Sequence, residues 1–287
     1  IDDNVFRDVW LNLDVNRLLP PSADSIYYDE GDALLSRHDL LQAAGKIREQ
    51  WNTPSFGPGC RIPLGVTVTR VVPEAFKVGN IQVQNQRMYI PFEARTHDDS
   101  TLGFYFEPDD YPRLSDPAMI LLPRAKNAPV HSIEDQRIED AALTSSAFPG
   151  AFGRKRLQYC RLSAYVAIDE KDAQEAVQAA ANLVCPEGYA LERAEFADGG
   201  LFDNLPIGLA RLLAEEHKRA SETKRPVTYV YLDPDRLRYD VPSPADMRAC
   251  AGDDPPEACE TMDFSLLSEQ ALRLGAMGTA RKYELYR

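Results

Sequence analysis

The segment Phe196–Pro206, with the sequence FADGGLFDNLP, contains the residues best placed to do chemistry. A short apolar run ends at Asp198, and Gly199 and Gly200 follow it directly. The two glycines permit a backbone path that side chains would block. In α/β proteins, sites form at the C-terminal ends of strands, where a carboxylate can act as a general base. The alternative is an ordinary strand-to-helix junction in which Asp198 is a turn residue.

The motifs of several other chemistries are absent. No two of the 16 glycines are four residues apart, so the sequence contains no G-x-S-x-G nucleophile elbow. It also lacks the phosphate-binding, dinucleotide-binding and zinc-binding motifs G-x-x-x-x-G-K-[ST], G-x-G-x-x-G and H-E-x-x-H. The four histidines are scattered singly, which gives no basis for a Ser-His-Asp triad. Asp233–Asp235 (DPD) could bind a metal, although a proline-containing turn is the favoured interpretation.

The five cysteines show no metal-binding spacing. Cys250 and Cys259 flank a short loop and could form a local disulfide, and Cys160 with Cys185 is a second possible pair. Buried free thiols are the alternative for an odd number of cysteines in a chain of this size. The cysteine pattern therefore leaves the cellular compartment open.

Composition excludes some partners. The 287 residues include 32 basic and 45 acidic side chains, a formal charge of −13. That field repels phosphate backbones and anionic lipid headgroups, so we expect no nucleic-acid binding. No stretch approaches the ~18 apolar residues of a membrane-spanning helix. The sequence thus predicts a protein that is soluble or peripheral to a membrane.

Hydrophobic periodicity predicts strands that alternate with helices in the second half of the chain, which favours an α/β layered fold. The predicted helices are Phe6–Leu19, Ala33–Trp51, Lys171–Leu183, Asn204–Ala220 and Phe264–Tyr286. A further helix is predicted to open with a capping box at Ser132–Asp135 and to run through Ala142. The predicted strands are Leu64–Val72, Ile81–Phe92, Leu102–Glu107, Leu157–Ile168, Arg193–Ala197 and Val227–Leu232. The proline-rich stretch Pro108–Pro129 should run over the surface. Because no internal repeat or low-complexity linker is present, we expect a single domain.

Two blocks resemble the patatin-like phospholipase family. Asp-Gly-Gly followed by Asn-x-Pro is similar to the block that carries that family's catalytic aspartate. Upstream of it, Ala142–Phe152 (ALTSSAFPGAF) resembles the family's A-S-S-A-x-P-G-x-F segment. Weaker matches at Phe6–Trp10 and Val66–Thr69 extend the resemblance over residues 6–232, which leaves 233–287 as a C-terminal extension. The resemblance implies a three-layer α/β domain with a mainly parallel central sheet.

Patatin-like enzymes are lipid acyl hydrolases that use a Ser-Asp dyad, with no metal or organic cofactor. The resemblance therefore implies that Asp198 is the dyad aspartate and general base. Gly199 and Gly200 match the glycine pair that lets the backbone turn beside the serine. Asn204 and Pro206 match the positions that open the following helix. The substrate would be a lipid ester, with peripheral membrane contact.

The nucleophile is missing from this pattern. In the family, the oxyanion loop and the G-x-S-x-G elbow precede the helix that Phe6–Trp10 resembles. The chain also opens at Ile1 without an initiator methionine, so we expect a portion that follows the elbow. An upstream segment or a second chain would then supply the serine, and this chain alone would be inactive. The alternative is a non-catalytic module that binds lipid or a partner.

The resemblance also implies that the second block forms an active-site loop, with the residues Ser145, Ser146, Pro149 and Gly150. Either serine could be proposed as a substitute nucleophile, but the resemblance places both in a packing and loop segment that lacks elbow glycines.

Lipid access requires an apolar rim near the cleft, because the general field of the chain does not attract anionic membranes. Phe148 and Phe152 are the candidates. We expect Phe148 to pack in the core beneath the active site, and Phe152 to lie either in the core or at the rim.

Overall fold

The computed structural model describes residues 18, 33, 35–51, 57–78, 81–112, 117–149, 151–165, 182–202, 206–220 and 226–230. By internal contacts the chain divides into two compact units, residues 1–225 and 226–287. In the second unit, residues 226–230 form no strand, and Val227, Tyr229 and Val230 are exposed. The predicted buried strand Val227–Leu232 is therefore wrong over its described residues.

The described part of the first unit contains three α-helices and eight β-strands. The helices are α1 (His38–Trp51), α2 (Asp135–Ser145) and α3 (Ile207–Ala220). The strands are β1 (Arg61–Val78), β2 (Ile81–Thr96), β3 (Leu102–Tyr105), β4 (Arg124–Ala125), β5 (Ser132–Ile133), β6 (Lys155–Leu162), β7 (Leu183–Val184) and β8 (Tyr189–Asp198). Short 3₁₀ helices span Pro108–Asp110, Ser163–Tyr165 and Gly199–Leu201.

The main sheet is antiparallel. Its six strands lie in the order β5-β3-β2-β1-β8-β6, and every neighbouring pair runs antiparallel. The sheet curls into a half-barrel, and β4 and β7 form a separate antiparallel pair. The predicted α/β fold with a mainly parallel central sheet is therefore wrong.

Chain connectivity explains the strand direction. β1 ends at Val78 and β2 begins at Ile81, and so short an interval cannot contain the crossover that parallel neighbours require. The dipeptide Gly-Asn between two strand-like runs is a hairpin signal that the prediction did not use. The predicted first strand stopped early because Pro73 interrupts the pattern. The register shifts between Thr69 and Glu74, and such bulges tolerate a proline within a strand.

The two faces of the sheet contact different helices. On one face, the cross-strand pair Val68 and Met88 lies in the core, and Trp51 of α1 packs edge-on against Phe104 at a ring distance of 4.7 Å. On the opposite face, α3 lies so close to Gly65 that a Cβ there would come within 2.9 Å of two leucine methyls. Those leucines are Leu209 and Leu213.

A buried ion cluster lies on the face of the sheet that α3 covers. Glu93 is fully buried and accepts hydrogen bonds from Arg61 Nε at 2.6 Å and Arg95 Nη2 at 2.7 Å. Burial raises the pKa of the Glu93 carboxyl, but the hydrogen bonds from the two arginines outweigh burial and hold the pKa below its ordinary value. His217 of α3 lies 3.8 Å from the same carboxylate.

The expected surface stretch Pro108–Pro129 is wrong in its second half. Residues 118–122 are buried. Met119 forms a β-bridge with Tyr89, and Leu121 forms one with Cys160. The apolar run therefore lies against β2 and β6, because backbone pairing and burial of its side chains outweigh the turn signals on either side.

The predicted capping box at Ser132–Asp135 is also wrong. Ser132 belongs to β5, and its hydroxyl donates to the Pro129 carbonyl oxygen at 2.7 Å. The N-cap of α2 is Glu134, which makes no side-chain capping hydrogen bond. The helix itself is confirmed and extends to Ser145.

Most other predicted elements within the described residues are confirmed with shifted ends. The helix predicted from Ala33 begins only at His38, and the strand predicted over Arg193–Ala197 extends over the whole of β8. Several sequence predictions lie outside the described residues: the helices Phe6–Leu19 apart from Leu18, Lys171–Leu183 up to residue 181 and Phe264–Tyr286, the metal candidate Asp233–Asp235 and the pair Cys250–Cys259.

One of the two possible disulfides is formed. Cys160 of β6 is bonded to Cys185, which directly follows β7. Both half-cystines are buried, whereas Cys60 is free and exposed. The disulfide closes a sequence separation of 25 residues. It therefore ties the second small sheet to the edge strand of the main sheet.

Candidate functional site

Asp198 is the last residue of β8, as the sequence predicted. Its Oδ1 accepts a hydrogen bond from the Gly200 N–H at 2.6 Å, so the carboxylate caps the 3₁₀ turn Gly199–Leu201. The side chain is half-buried. This cap holds one carboxylate oxygen in a defined position at the end of the strand.

The backbone of Asp198 is held from two sides. Its N–H donates to the carbonyl oxygen of Ala147 at 2.9 Å. Its own carbonyl oxygen accepts a hydrogen bond from Thr69 Oγ1 on β1 at 2.7 Å. The Asp-Gly-Gly turn and the Ala142–Phe152 block, which lie far apart in the sequence, are therefore in direct contact.

A glycine is required at position 199 because Thr67 of β1 lies very close to its backbone. A Cβ at this position would overlap both the carbonyl oxygen and Oγ1 of Thr67. At Gly199 the reason for a glycine is thus steric rather than a left-handed backbone angle. Thr67 and Thr69 are the residues that sequence reasoning missed. Their hydroxyls at alternate positions of the run Leu64–Thr69 (LGVTVT) were the available signal.

The electrostatic balance at Asp198 favours protonation. Burial raises the pKa of the Asp198 carboxyl above its ordinary value, and the hydrogen bond from the Gly200 N–H only partly offsets this. A carboxylate with a raised pKa is a stronger base than one in free solution. The environment is therefore suited to general-base chemistry.

The two serines near this turn lie at the C-terminal end of α2. Ser145 ends α2, and Ser146 caps it. The Ser146 hydroxyl donates to the Leu143 carbonyl oxygen at 3.2 Å. Ser146 directly precedes Ala147 and Ser145 is one residue further upstream, so both lie near the segment that contacts the backbone of Asp198.

The rest of the second block forms a turn after α2. The Phe148 side chain is 47 % exposed, so its predicted core position is wrong. Phe152 is half-buried, and the Arg37 guanidinium lies 5.4 Å from its ring centre. Arg37 also donates to the Gly153 carbonyl oxygen at 2.7 Å. The turn is therefore anchored at Phe152 and presents Phe148 to solvent.

The remaining predicted site residues divide into two groups. Pro149 is half-buried in the turn, and the Pro206 carbonyl oxygen accepts the Ala210 N–H at 2.9 Å in the first turn of α3. Gly150 and Asn204 lie outside the described residues. Among the side chains that the structure describes, no group of three or more His, Cys, Asp or Glu residues is arranged to hold a metal ion.

Comparisons of the chain with family models, with curated proteins and with solved structures find no match. The resemblance therefore rests on the sequence motifs, and functional inference rests on the local geometry around Asp198. In the ranges described, no helix is both long and apolar enough to cross a membrane.

We expect Gly199→Ala to destabilise the fold, because the added methyl group must displace the backbone of β1 at Thr67. Overpacking of this kind costs about 1–3 kcal/mol of unfolding free energy. The matched control is Gly208→Ala in α3, where nothing lies within 4 Å of the added Cβ. Denaturant unfolding should show a loss for the first variant and none for the second; equal stabilities would contradict the close contact.

We also expect the raised pKa of Asp198 to appear in the pH dependence of stability. The folded state binds this proton more tightly than the unfolded state, so the contribution of Asp198 decreases as pH rises above its ordinary 3.8 through the raised pKa. Asp198→Asn keeps an oxygen acceptor for the Gly200 N–H but cannot titrate. The measurement is the difference in unfolding free energy, wild type minus variant, across a pH series. A difference that is flat or increases with pH would refute the raised pKa.

Proposed function

We propose that this chain supplies the aspartate of a Ser-Asp dyad that hydrolyses lipid acyl esters. The observation that carries the proposal is the 2.9 Å hydrogen bond from the Asp198 N–H to the Ala147 carbonyl oxygen. It joins the two sequence blocks that carry the resemblance to patatin-like phospholipases. A chance match of two unrelated segments gives no reason for them to meet at the aspartate.

The local chemistry supports the same role. The Asp198 carboxylate is half-buried, and Gly200 holds its Oδ1, which leaves Oδ2 as the oxygen to accept a proton. In the proposed reaction, Asp198 takes the proton of an attacking serine hydroxyl while that oxygen bonds to the ester carbonyl carbon. The proton then passes to the departing alcohol. Water hydrolyses the acyl-enzyme by the same base in a second step.

The proposal places the serine outside these 287 residues, since they contain no G-x-S-x-G and the Ser146 hydroxyl already donates to a backbone carbonyl. It also does not depend on the parallel sheet that the resemblance implied. What it requires is a carboxylate fixed at a strand end and open to a second segment.

Phe148 is our candidate for contact with the lipid. Its exposed ring belongs to the same turn as Ala147, whose carbonyl oxygen holds the Asp198 backbone. Phe152 is the weaker candidate, because its ring packs with Arg37. An exposed aromatic ring next to the dyad can enter the acyl region of a lipid surface without help from the charge of the protein.

The first test of the function is Asp198→Asn in the polypeptide that joins this chain to its nucleophilic serine. Loss of a general base should lower kcat for ester hydrolysis by roughly 10²–10⁴-fold. The melting temperature should be unchanged or higher, because the variant removes a buried charge. Hydrolysis that persists at the wild-type rate would remove Asp198 from the mechanism. A polypeptide that contains no G-x-S-x-G before Ile1 would favour a non-catalytic binding module.

The second test separates lipid contact from chemistry. Phe148→Ser should lower hydrolysis of phospholipid vesicles and leave cleavage of a soluble short-chain ester unchanged, because the exposed ring contributes nothing to the dyad. The control is Phe152→Ser, which should reduce both activities together with the melting temperature through loss of packing against Arg37. Parallel loss on both substrates in Phe148→Ser would assign that ring to the fold or to the dyad.

A further inference from the structure

A second candidate site lies at the other end of β8. It is a cavity of about 500 Å³ whose lining includes Leu121 and Cys185. Leu121 bridges Cys160, and Cys160 pairs with Leu191 of β8. Leu191 precedes Asp198 by seven residues, which is about 23 Å along an extended strand. Asp198 is not part of the lining, so this cavity is separate from the site above.

The cavity has a rigid apolar floor. Phe106, Leu121 and Ile133 line it with buried side chains, and the Phe106 ring stacks on Tyr111 at 5.3 Å. One wall is the segment 184–187, which the disulfide of Cys185 fixes to β6. The volume falls within the range of small-molecule sites, and a disulfide-tied wall keeps such a site preformed.

The basic side chains of the lining, Arg124 and His131, already have acceptors within the protein. Arg124 Nη1 donates to the carbonyl oxygens of Ala125 and Ala128 at 3.3 and 3.1 Å. His131 lines the cavity in a left-handed conformation, with φ of 65°, and its Nε2 lies 3.6 Å from a carboxylate oxygen of Glu107. A left-handed conformation is strained for histidine and is often found at functional sites.

The acidic residues of the lining are different. Asp109 and Glu187 both line the cavity and are both exposed, and neither has a hydrogen bond or an ion pair from its side chain to any residue that the structure describes. An apolar floor with two exposed carboxylates at its border is complementary to a molecule with an apolar body and a positive head. We propose that this cavity binds a small organic cation of that kind.

The inference is independent of the proposed ester hydrolysis, and the test uses the 287-residue chain itself. Three probes of similar size are titrated by isothermal calorimetry and by ligand-observed NMR: phenyltrimethylammonium, benzyl alcohol and benzoate. The cation should bind saturably and about tenfold more tightly than the neutral probe, because the two carboxylates at the border of the cavity attract its positive charge. Benzoate should bind most weakly.

Matched variants locate the binding. Asp109→Asn and Glu187→Gln should each weaken phenyltrimethylammonium several-fold and leave benzyl alcohol unchanged. Asp98→Asn removes the same charge from an exposed loop outside the cavity and should change neither affinity. Asp198→Asn should also have no effect, which separates this site from the proposed dyad. Circular dichroism checks that each variant folds.

Three outcomes would overturn the proposal. The first is equal affinity for the cation, the neutral probe and the anion. The second is a cation affinity that survives both cavity variants or falls equally in Asp98→Asn. The third is the lack of saturable cation binding up to about 10 mM, which is weaker than millimolar fragment affinities.

Discussion

The main sheet depends on a very short strand pairing between β1 and β8. β1 and β8 pair over three residues only, Val68–Arg70 against Phe196–Asp198, yet this pairing connects four strands on one side to two on the other. Two contacts support it: the Thr69 hydroxyl donates to the Asp198 carbonyl oxygen, and Gly199 lies against Thr67 with no room for a side chain. The residue proposed as the base is therefore also part of this strand pairing, through its backbone groups.

The antiparallel arrangement decides what surrounds Asp198. In a parallel sheet, the C-terminal ends of several strands share one edge, and a site draws its residues from that edge. Here β8 ends beside the middle of β1, at Val68, so β1 contributes no terminus there, and β6 contributes its N-terminal end, with Lys155 opposite Phe196. Instead, the turn after α2 contacts Asp198, because the Ala147 carbonyl oxygen accepts a hydrogen bond from the Asp198 N–H. The Gly200 N–H donates a hydrogen bond to the Asp198 carboxylate. The site is consequently built from backbone groups of two turns and one strand.

The pKa values of two carboxyl groups, Glu93 and Asp198, are shifted in opposite directions. Glu93 is completely buried, but two arginines hydrogen-bond to it, so its pKa is held low and it serves as a structural anion. Asp198 has one N–H donor and no arginine among its hydrogen-bond partners in the described parts of the chain, so burial prevails and its pKa is raised. The same side-chain chemistry therefore gives a structural role in one case and basicity in the other.

Local sequence determined the elements that depend on near neighbours: α3, most of β2 and β6, and the Asp-Gly-Gly turn that ends β8. Periodicity and turn chemistry act over a few residues, and that range suffices for them. Tertiary structure alone decided which strands pair and in which direction, that residues 118–122 are buried, that Phe148 is exposed, and that Cys160 bonds to Cys185. A periodic pattern shows that a segment has an apolar face without identifying what covers it. Tertiary structure alone also decided the contact of Gly199 with Thr67, since these residues are more than a hundred positions apart.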